Sequence, residues 1–167
     1  AIVPGPKRNR LSEELGLADK FVVMHSGNIG LSQGLDTVID AATLLADIAD
    51  LEIVFVGDGV RKTELQDRAR RAALGNVRFL PFTPTERLGE SFASADVFIV
   101  SLQRGLAGSI VPSKLYGILA AGRPYVAAVE DGCEVASLTR SHDCGLVAEP
   151  GNARALADCI RELHANR

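Results

Sequence analysis

Six short apolar runs alternate with six helical segments along this chain, and that alternation restricts the fold more than any single motif does. The runs are KFVVMHSG, LEIVFVG, NVRFLPF, DVFIVSL, PYVAAVE and CGLVAE. They are too short for core helices and too continuously apolar for strands with one wet face, which is how strands of a doubly covered parallel sheet read. Between the first two, GLDTVIDAATLLADIA sets Leu35, Val38, Ile39, Ala42 and Leu45 on one helical face. RKTELQDRARRAAL reads as a charged surface helix, PTERLGESFASA as a helix with Pro84 at its first position, and NARALADCIRELHANR as a closing amphipathic helix. Strict alternation predicts a doubly wound α/β, Rossmann-like sheet of six parallel strands in the order 3-2-1-4-5-6. In that order the crevice opens at the carboxyl ends of strands one and four.

Residues 1–17 stand apart in this reading. AIVPGPKRNR has two prolines, a basic run and no periodicity, so it reads as linker, and LSEELGL as a short helical turn capped by Ser12. Residues 18–167 then form one domain. The chain opens on Ala1, with its only methionine at Met24, and is expected to be a piece of a longer protein. No apolar run approaches the roughly 20 residues of a membrane helix, and no leader pattern is read at the start.

A net charge of −3 and an aromatic content of 5% without tryptophan exclude a general basic field for nucleic acid and a stacking surface for single strands. The cysteines, Cys133, Cys144 and Cys159, form no CxxC pair and read as small buried hydrophobes in a reducing compartment.

The glycines concentrate at the two strand ends that flank the crevice. After strand one comes HSGNIGLSQG, in which Gly27, Gly30 and Gly34 allow tight turns and close approach of backbone to a ligand. After strand four comes SLQRGLAGSIVPSK, a low-bulk loop through Gly105, Gly108 and Ser109 that leads into a helix with Lys114 in its first turn. Loop amides and an ammonium converging on one point suit a diphosphate, against the alternatives of a solvated lysine and a plain strand-to-helix turn. The glycine spacing is not GxGxxG, and Asp58 lies well past the roughly 20-residue spacing of a ribose-binding acid, so it reads as a turn residue. Gly57 and Gly59 border the crevice. His25 ends strand one inside it, read either as a site residue or as a satisfied buried histidine. No Ser/His/Asp set, HExxH or DxD cluster is present; metal ligands are not expected.

SGNIGLSQGLDTVIDAATLL, LEIVFVGDG, NVRFLPF, ADVFIVSL, VPSKLYGILAAGRPYVAA and CGLVAEPGNARALADCI, in that order, resemble the C-terminal, donor-binding domain of GT-B glycosyltransferases of retaining family four, in the branch that builds bacterial surface polysaccharides. The resemblance covers roughly residues 18–165. It implies one half of a GT-B architecture that binds a UDP- or GDP-sugar, with UDP favoured by the look of that branch, and needs no cofactor. Gly27, Asn28, Gly30, Ser109 and Lys114 would lie at the donor diphosphate, Lys114 as the group that stabilises its departure. Leu80, Pro81 and Phe82, near Gly57, would meet the base. A saccharide or lipid-linked acceptor would enter through a further N-terminal domain, at the cytoplasmic face of the cell membrane, where peripheral association is expected. Turnover by this chain alone is not expected.

Departures from the family pattern accompany the likeness. Asn28 and Gln33 stand where many members carry a basic pair, and Ser109 and Gly117 stand where they carry acids, the second of which holds the ribose. Arg104 and Arg61 are possible helpers at the diphosphate. The rival readings are an NAD(P)-linked oxidoreductase domain, a degenerate nucleotide-sugar sensor and an epimerase of the same architecture.

Overall fold

A computed structural model describes residues 1–167. Six strands, β1 Phe21–Ser26, β2 Leu51–Val56, β3 Val77–Leu80, β4 Val97–Ser101, β5 Tyr125–Ala128 and β6 Gly145–Ala148, form one sheet in the order β3-β2-β1-β4-β5-β6, every pairing parallel. This is the expected doubly wound arrangement. Seven α-helices accompany it: α1 Arg10–Glu14, α2 Asp36–Leu44, α3 Lys62–Arg71, α4 Leu88–Ser94, α5 Lys114–Ala120, α6 Glu134–His142 and α7 Ala153–Ala165. Pro84 precedes a 3-10 turn, Thr85–Arg87, that runs into α4.

The period-2 alternation of the strands sorts the core into two layers. Phe21 and Val23 of β1 face one layer with Ile53 and Phe55 of β2, against α2, α3 and α7. Val22 and Met24 face the other with Val54 and Val56, against α4, α5 and α6. Each fully buried side chain of this size contributes about 1.5–3 kcal/mol, so continuous apolar runs are what hold a sheet covered on both faces. The three cysteines are free thiols, half-buried rather than fully buried: Cys133 and Cys144 border one layer and Cys159 the other. No helix is long and apolar enough to cross a membrane.

The N-terminal segment differs from its reading as linker. Asn9, not Ser12, is the cap of α1; its side chain accepts from the Ser12 N–H at 3.0 Å while the Ser12 hydroxyl accepts from the Asn9 N–H at 2.9 Å. Ser12 and Leu17 are fully buried. Ahead of α1, Arg123 donates to the carbonyls of Gly5 at 2.9 Å and Ala93 at 2.7 Å, and Lys7 pairs with Asp96, which also accepts from the Val22 N–H. An extended segment held by one carbonyl, Lys7 and the side chain of Ile2 has no hydrophobic period to betray it. Residues 1–17 therefore pack as part of the domain.

Candidate functional site

Strand order reverses between β1 and β4, so the connections leave to opposite sides and open a crevice at their carboxyl ends. The loops that follow them are tied together: Ser101 Oγ donates to the Gln33 carbonyl at 2.5 Å, and the Gln103 N–H donates to the Ser32 carbonyl at 2.8 Å. Into this junction comes Lys114, the first residue of α5. A Cβ placed on Gly27 would lie 3.6 Å from Lys114 Nζ, so the ammonium rests directly against the glycine that follows β1. Gly27 and Lys114 lie side by side at the centre of the candidate site.

Lys114 forms no ion pair. Its one polar contact is the ring of His25, the last fully buried residue of β1, with Nζ 3.2 Å from Nδ1 and 3.5 Å from Nε2, which sets the ammonium over the face of the imidazole. His25 Nε2 lies 3.1 Å from the Asn28 carbonyl. Burial of an ammonium with no carboxylate beside it pulls the Lys114 pKa down to about 8. Burial, and then the neighbouring ammonium, pull the His25 pKa down to about 3, so the ring is neutral. A half-hidden positive group lacking a counter-charge is an arrangement that an anion completes.

The first loop supplies less donor capacity than its glycines suggest. The Gly27 N–H extends the sheet by donating to the Val56 carbonyl at 2.8 Å, and the Gly30 N–H is taken by the Gln33 side chain at 3.1 Å. Asn28 is exposed, and its N–H has no partner within the chain. Ser109 lies in an exposed part of the β4–α5 loop, its N–H bonded to the Leu106 carbonyl at 2.9 Å.

Gly57 and Gly59 serve the stacking of one loop on another. A Cβ on Gly57 would fall 1.9 Å from the Gly27 carbonyl oxygen, and one on Gly59 2.3 Å from that of Ile29. Both have φ values, +150° and +157°, that side chains rarely adopt. Asp58 between them is a turn residue: Oδ1 accepts from the Gly59 N–H at 2.8 Å, and its carbonyl from the Ile29 N–H at 2.8 Å. On the other side of Gly57, Phe82 Cε1 lies 3.4 Å from the ideal Cβ position. Leu80, Pro81 and Phe82 border an apolar cavity of about 150 Å³ that Met24 and Val56 also line.

The two arginines named as helpers sit elsewhere. Arg61 is held by Asp36 at 2.9 Å and Glu64 at 2.9 Å, and Arg104 by Glu149 at 2.9 Å and the Pro150 carbonyl at 3.2 Å. Neither has an uncommitted charge. Gly117, in α5, has an ideal Cβ position 3.0 Å from Phe92 Cε1 and 3.3 Å from Ile2 Cδ1. The His25–Lys114 contact was missed in the sequence, where His25 showed only as a lone imidazole closing an apolar run. No three His, Cys, Asp or Glu side chains gather in a group able to hold a metal ion.

Residues 7–167 match the family described as glycosyl transferases group 1. The chain belongs to that family. Among relatives of the group 1 glycosyl transferase domain is the putative colanic acid biosynthesis glycosyl transferase WcaI of Escherichia coli K12, 35% identical over 154 residues, covering 91% of this chain and 38% of that protein. Among solved structures, Anabaena Alr3699/HepE in complex with UDP superposes with a TM-score of 0.77 at 23% identity, over 94% of this chain and 42% of that one. The C-terminal domain of the group 1 protein LpcC from Francisella tularensis has a TM-score of 0.76 at 18% identity, covering 98% of this chain and 85% of that one. The likeness to the last two is one of fold, and it places the group 1 domain among GT-B architectures. The chain spans less than half the length of WcaI and HepE.

Proposed function

We propose that this domain is the donor-binding half of a retaining, family four glycosyltransferase that takes a sugar from a nucleoside diphosphate and passes it to a saccharide or lipid-linked acceptor of surface polysaccharide synthesis. The observation that carries the reading is Lys114: an ammonium without a counter-charge, pressed against Gly27 at the switch point of a group 1 glycosyl transferase domain. HepE has been solved with UDP and with UDP-glucose, which supports a uridine donor here.

The chemistry follows from charge. Breaking the bond between sugar and diphosphate loads negative charge on the leaving phosphate oxygens, and a fixed cation in a water-poor site stabilises that charge more than the ground state. Lys114 would supply it, with the Asn28 N–H as a neighbouring donor. The cavity bordered by Leu80, Pro81 and Phe82 would take the base, and no cofactor is required.

Calorimetric titration with UDP, GDP, NADH and pyrophosphate tests the reading. Binding of UDP or GDP without NADH supports it; NADH binding with neither diphosphate nucleotide overturns it in favour of an oxidoreductase domain. A second reading, a non-catalytic nucleotide-sugar sensor, is favoured by the packing of Phe92 and Ile2 against Gly117, where the family pattern has an acid. Sugar transfer by the full-length protein would dismiss it.

A further inference from the structure

His25 is fully buried, its ring 5.9 Å from that of Phe55, and it touches both arms of the anion site at once. Its polar partners dictate its proton. The Asn28 carbonyl can only accept, so the imidazole nitrogen facing it, Nε2 at 3.1 Å, carries the hydrogen. The Lys114 ammonium is at near-equal distances from the two ring nitrogens, 3.2 Å from Nδ1 and 3.5 Å from Nε2, so it lies over the face of the ring and not along the in-plane lone pair of Nδ1. The other tautomer would set a carbonyl against a lone pair. A protonated ring would place two cations together in a buried site with no carboxylate to separate them.

We propose that His25 is the positioning residue of the donor site: one neutral imidazole joins the Asn28 carbonyl, on the loop after β1, to the ammonium of Lys114, at the start of α5, and so fixes the cation against the loop before any ligand arrives. The inference rests on the donor-binding reading above. The Lys114 ammonium has no other polar partner in the chain. Without the ring, its flexible four-carbon stem is unrestrained and the ordering cost falls on ligand binding. His25 acts through Lys114 and need not touch the ligand itself.

Two measurements test this. Histidine-selective 15N correlation spectra of the parent chain report the tautomer without any ligand; the expected pattern is a neutral ring protonated at Nε2 and bare at Nδ1 at pH 7. An Nδ1–H tautomer or a charged ring overturns the proposal. The second is calorimetry with UDP on His25→Leu, His25→Phe, Lys114→Ala and the double variant His25→Leu with Lys114→Ala. Leucine fills the space beside Phe55 but offers Lys114 no ring face, and UDP affinity should fall about tenfold, as for one lost cation–ring contact in a desolvated site. Phenylalanine keeps a ring face under the ammonium and should stay within about threefold of the parent. In the Lys114→Ala background the leucine effect should shrink to less than about twofold, because two residues acting through one interaction are not additive. An equal loss in both backgrounds, or no loss in the parent background, overturns the positioning role. A parent chain that binds neither UDP nor GDP overturns the donor reading itself, and the role of His25 with it.

Discussion

The ideal Cβ position of Gly117 lies 3.0 Å from Cε1 of Phe92, a buried ring of the α4–α5 core layer. That contact accounts for a glycine inside a helix, where the residue otherwise costs about 0.5–1 kcal/mol relative to alanine. Ile2 closes the same space from the N-terminal segment. Gly117→Glu should therefore lower stability by about 1–3 kcal/mol through overpacking, with no gain in nucleotide affinity. Gly117→Ala, in which lost space and gained helix propensity oppose one another, should stay within about 1 kcal/mol of the parent. Urea denaturation of the three chains checks both values.

Lys114 should separate binding from stability. Lys114→Ala is expected to weaken UDP binding by about 1.5–3 kcal/mol, the worth of a hydrogen bond to a charged group. The fold should not suffer. With the pKa at about 8 in the folded chain against an ordinary 10.5, the buried ammonium opposes folding at pH 7 by up to roughly 3 kcal/mol. Lys114→Met, which keeps the stem and drops the charge, should unfold at an equal or higher temperature. A clear fall in its melting temperature would place Lys114 in the core rather than the site.

The same two groups shape the pH profile of stability. His25 binds its proton near pH 6.5 when unfolded and near 3 when folded. The unfolded chain holds more protons between those values, so stability rises with pH across that window and is lost on acidification. Asp50, drawn down to about 2 by Arg167 and then His164, acts in the same direction only below its ordinary 3.8. Glu14 and Glu149, lowered by Arg87 and Arg104, act in the same direction around and below their ordinary 4.5. The interval from about pH 5 to 6.5 thus belongs to His25, and His25→Phe should flatten it. Lys114 adds a second rise between about 8 and 10.5, to which Lys7, also lowered by burial, contributes. Lys114→Met isolates its share. Above pH 10 the buried Tyr125 hydroxyl, raised to about 12, turns the curve down. At pH 8.5 UDP binding should take up a fraction of a proton, read from calorimetry in buffers of different ionisation enthalpy.

Gly57 and Gly108 are expected to part company. Gly57→Ala would drive a methyl group to 1.9 Å from the Gly27 carbonyl oxygen at a φ of +150°. A loss of about 2–4 kcal/mol is expected, together with loss of UDP binding, since the loop that faces Lys114 must move. Gly108 has nothing within 4 Å of its Cβ position, and Gly108→Ala should change stability by less than about 0.5 kcal/mol. Chemical denaturation and UDP titration of each variant provide the check.

Sheet order and the meeting of Lys114 with Gly27 were legible because both follow from period and position: buried runs make parallel strands, and a doubly wound order brings the ends of β1 and β4 together. The His25–Lys114 contact was not legible as a pair. It joins residues distant in the chain through the face of one ring, and a lone histidine in an apolar run carries no sign of which partner satisfies it. Gly57 and Gly59 resembled ligand-facing glycines, since a glycine that admits a ligand and one that admits another backbone look alike in sequence. Residues 1–9 pack through the Gly5 carbonyl, Lys7 and the side chain of Ile2, too few and too scattered to leave a periodic pattern. Arg61 and Arg104 were offered as helpers because charge is visible in sequence; the carboxylates that consume it are not.

The contact between Gly57 and the Gly27 carbonyl also bears on how this domain can diverge. A side chain cannot be acquired at position 57 while the Gly27 carbonyl keeps its present place, and that carbonyl cannot withdraw without displacing the loop that faces Lys114. Drift in the two loops is therefore concerted: lineages that reshape one must carry a compensating change in the other, and the pair should be inherited as a unit even where the rest of the crevice has been remodelled.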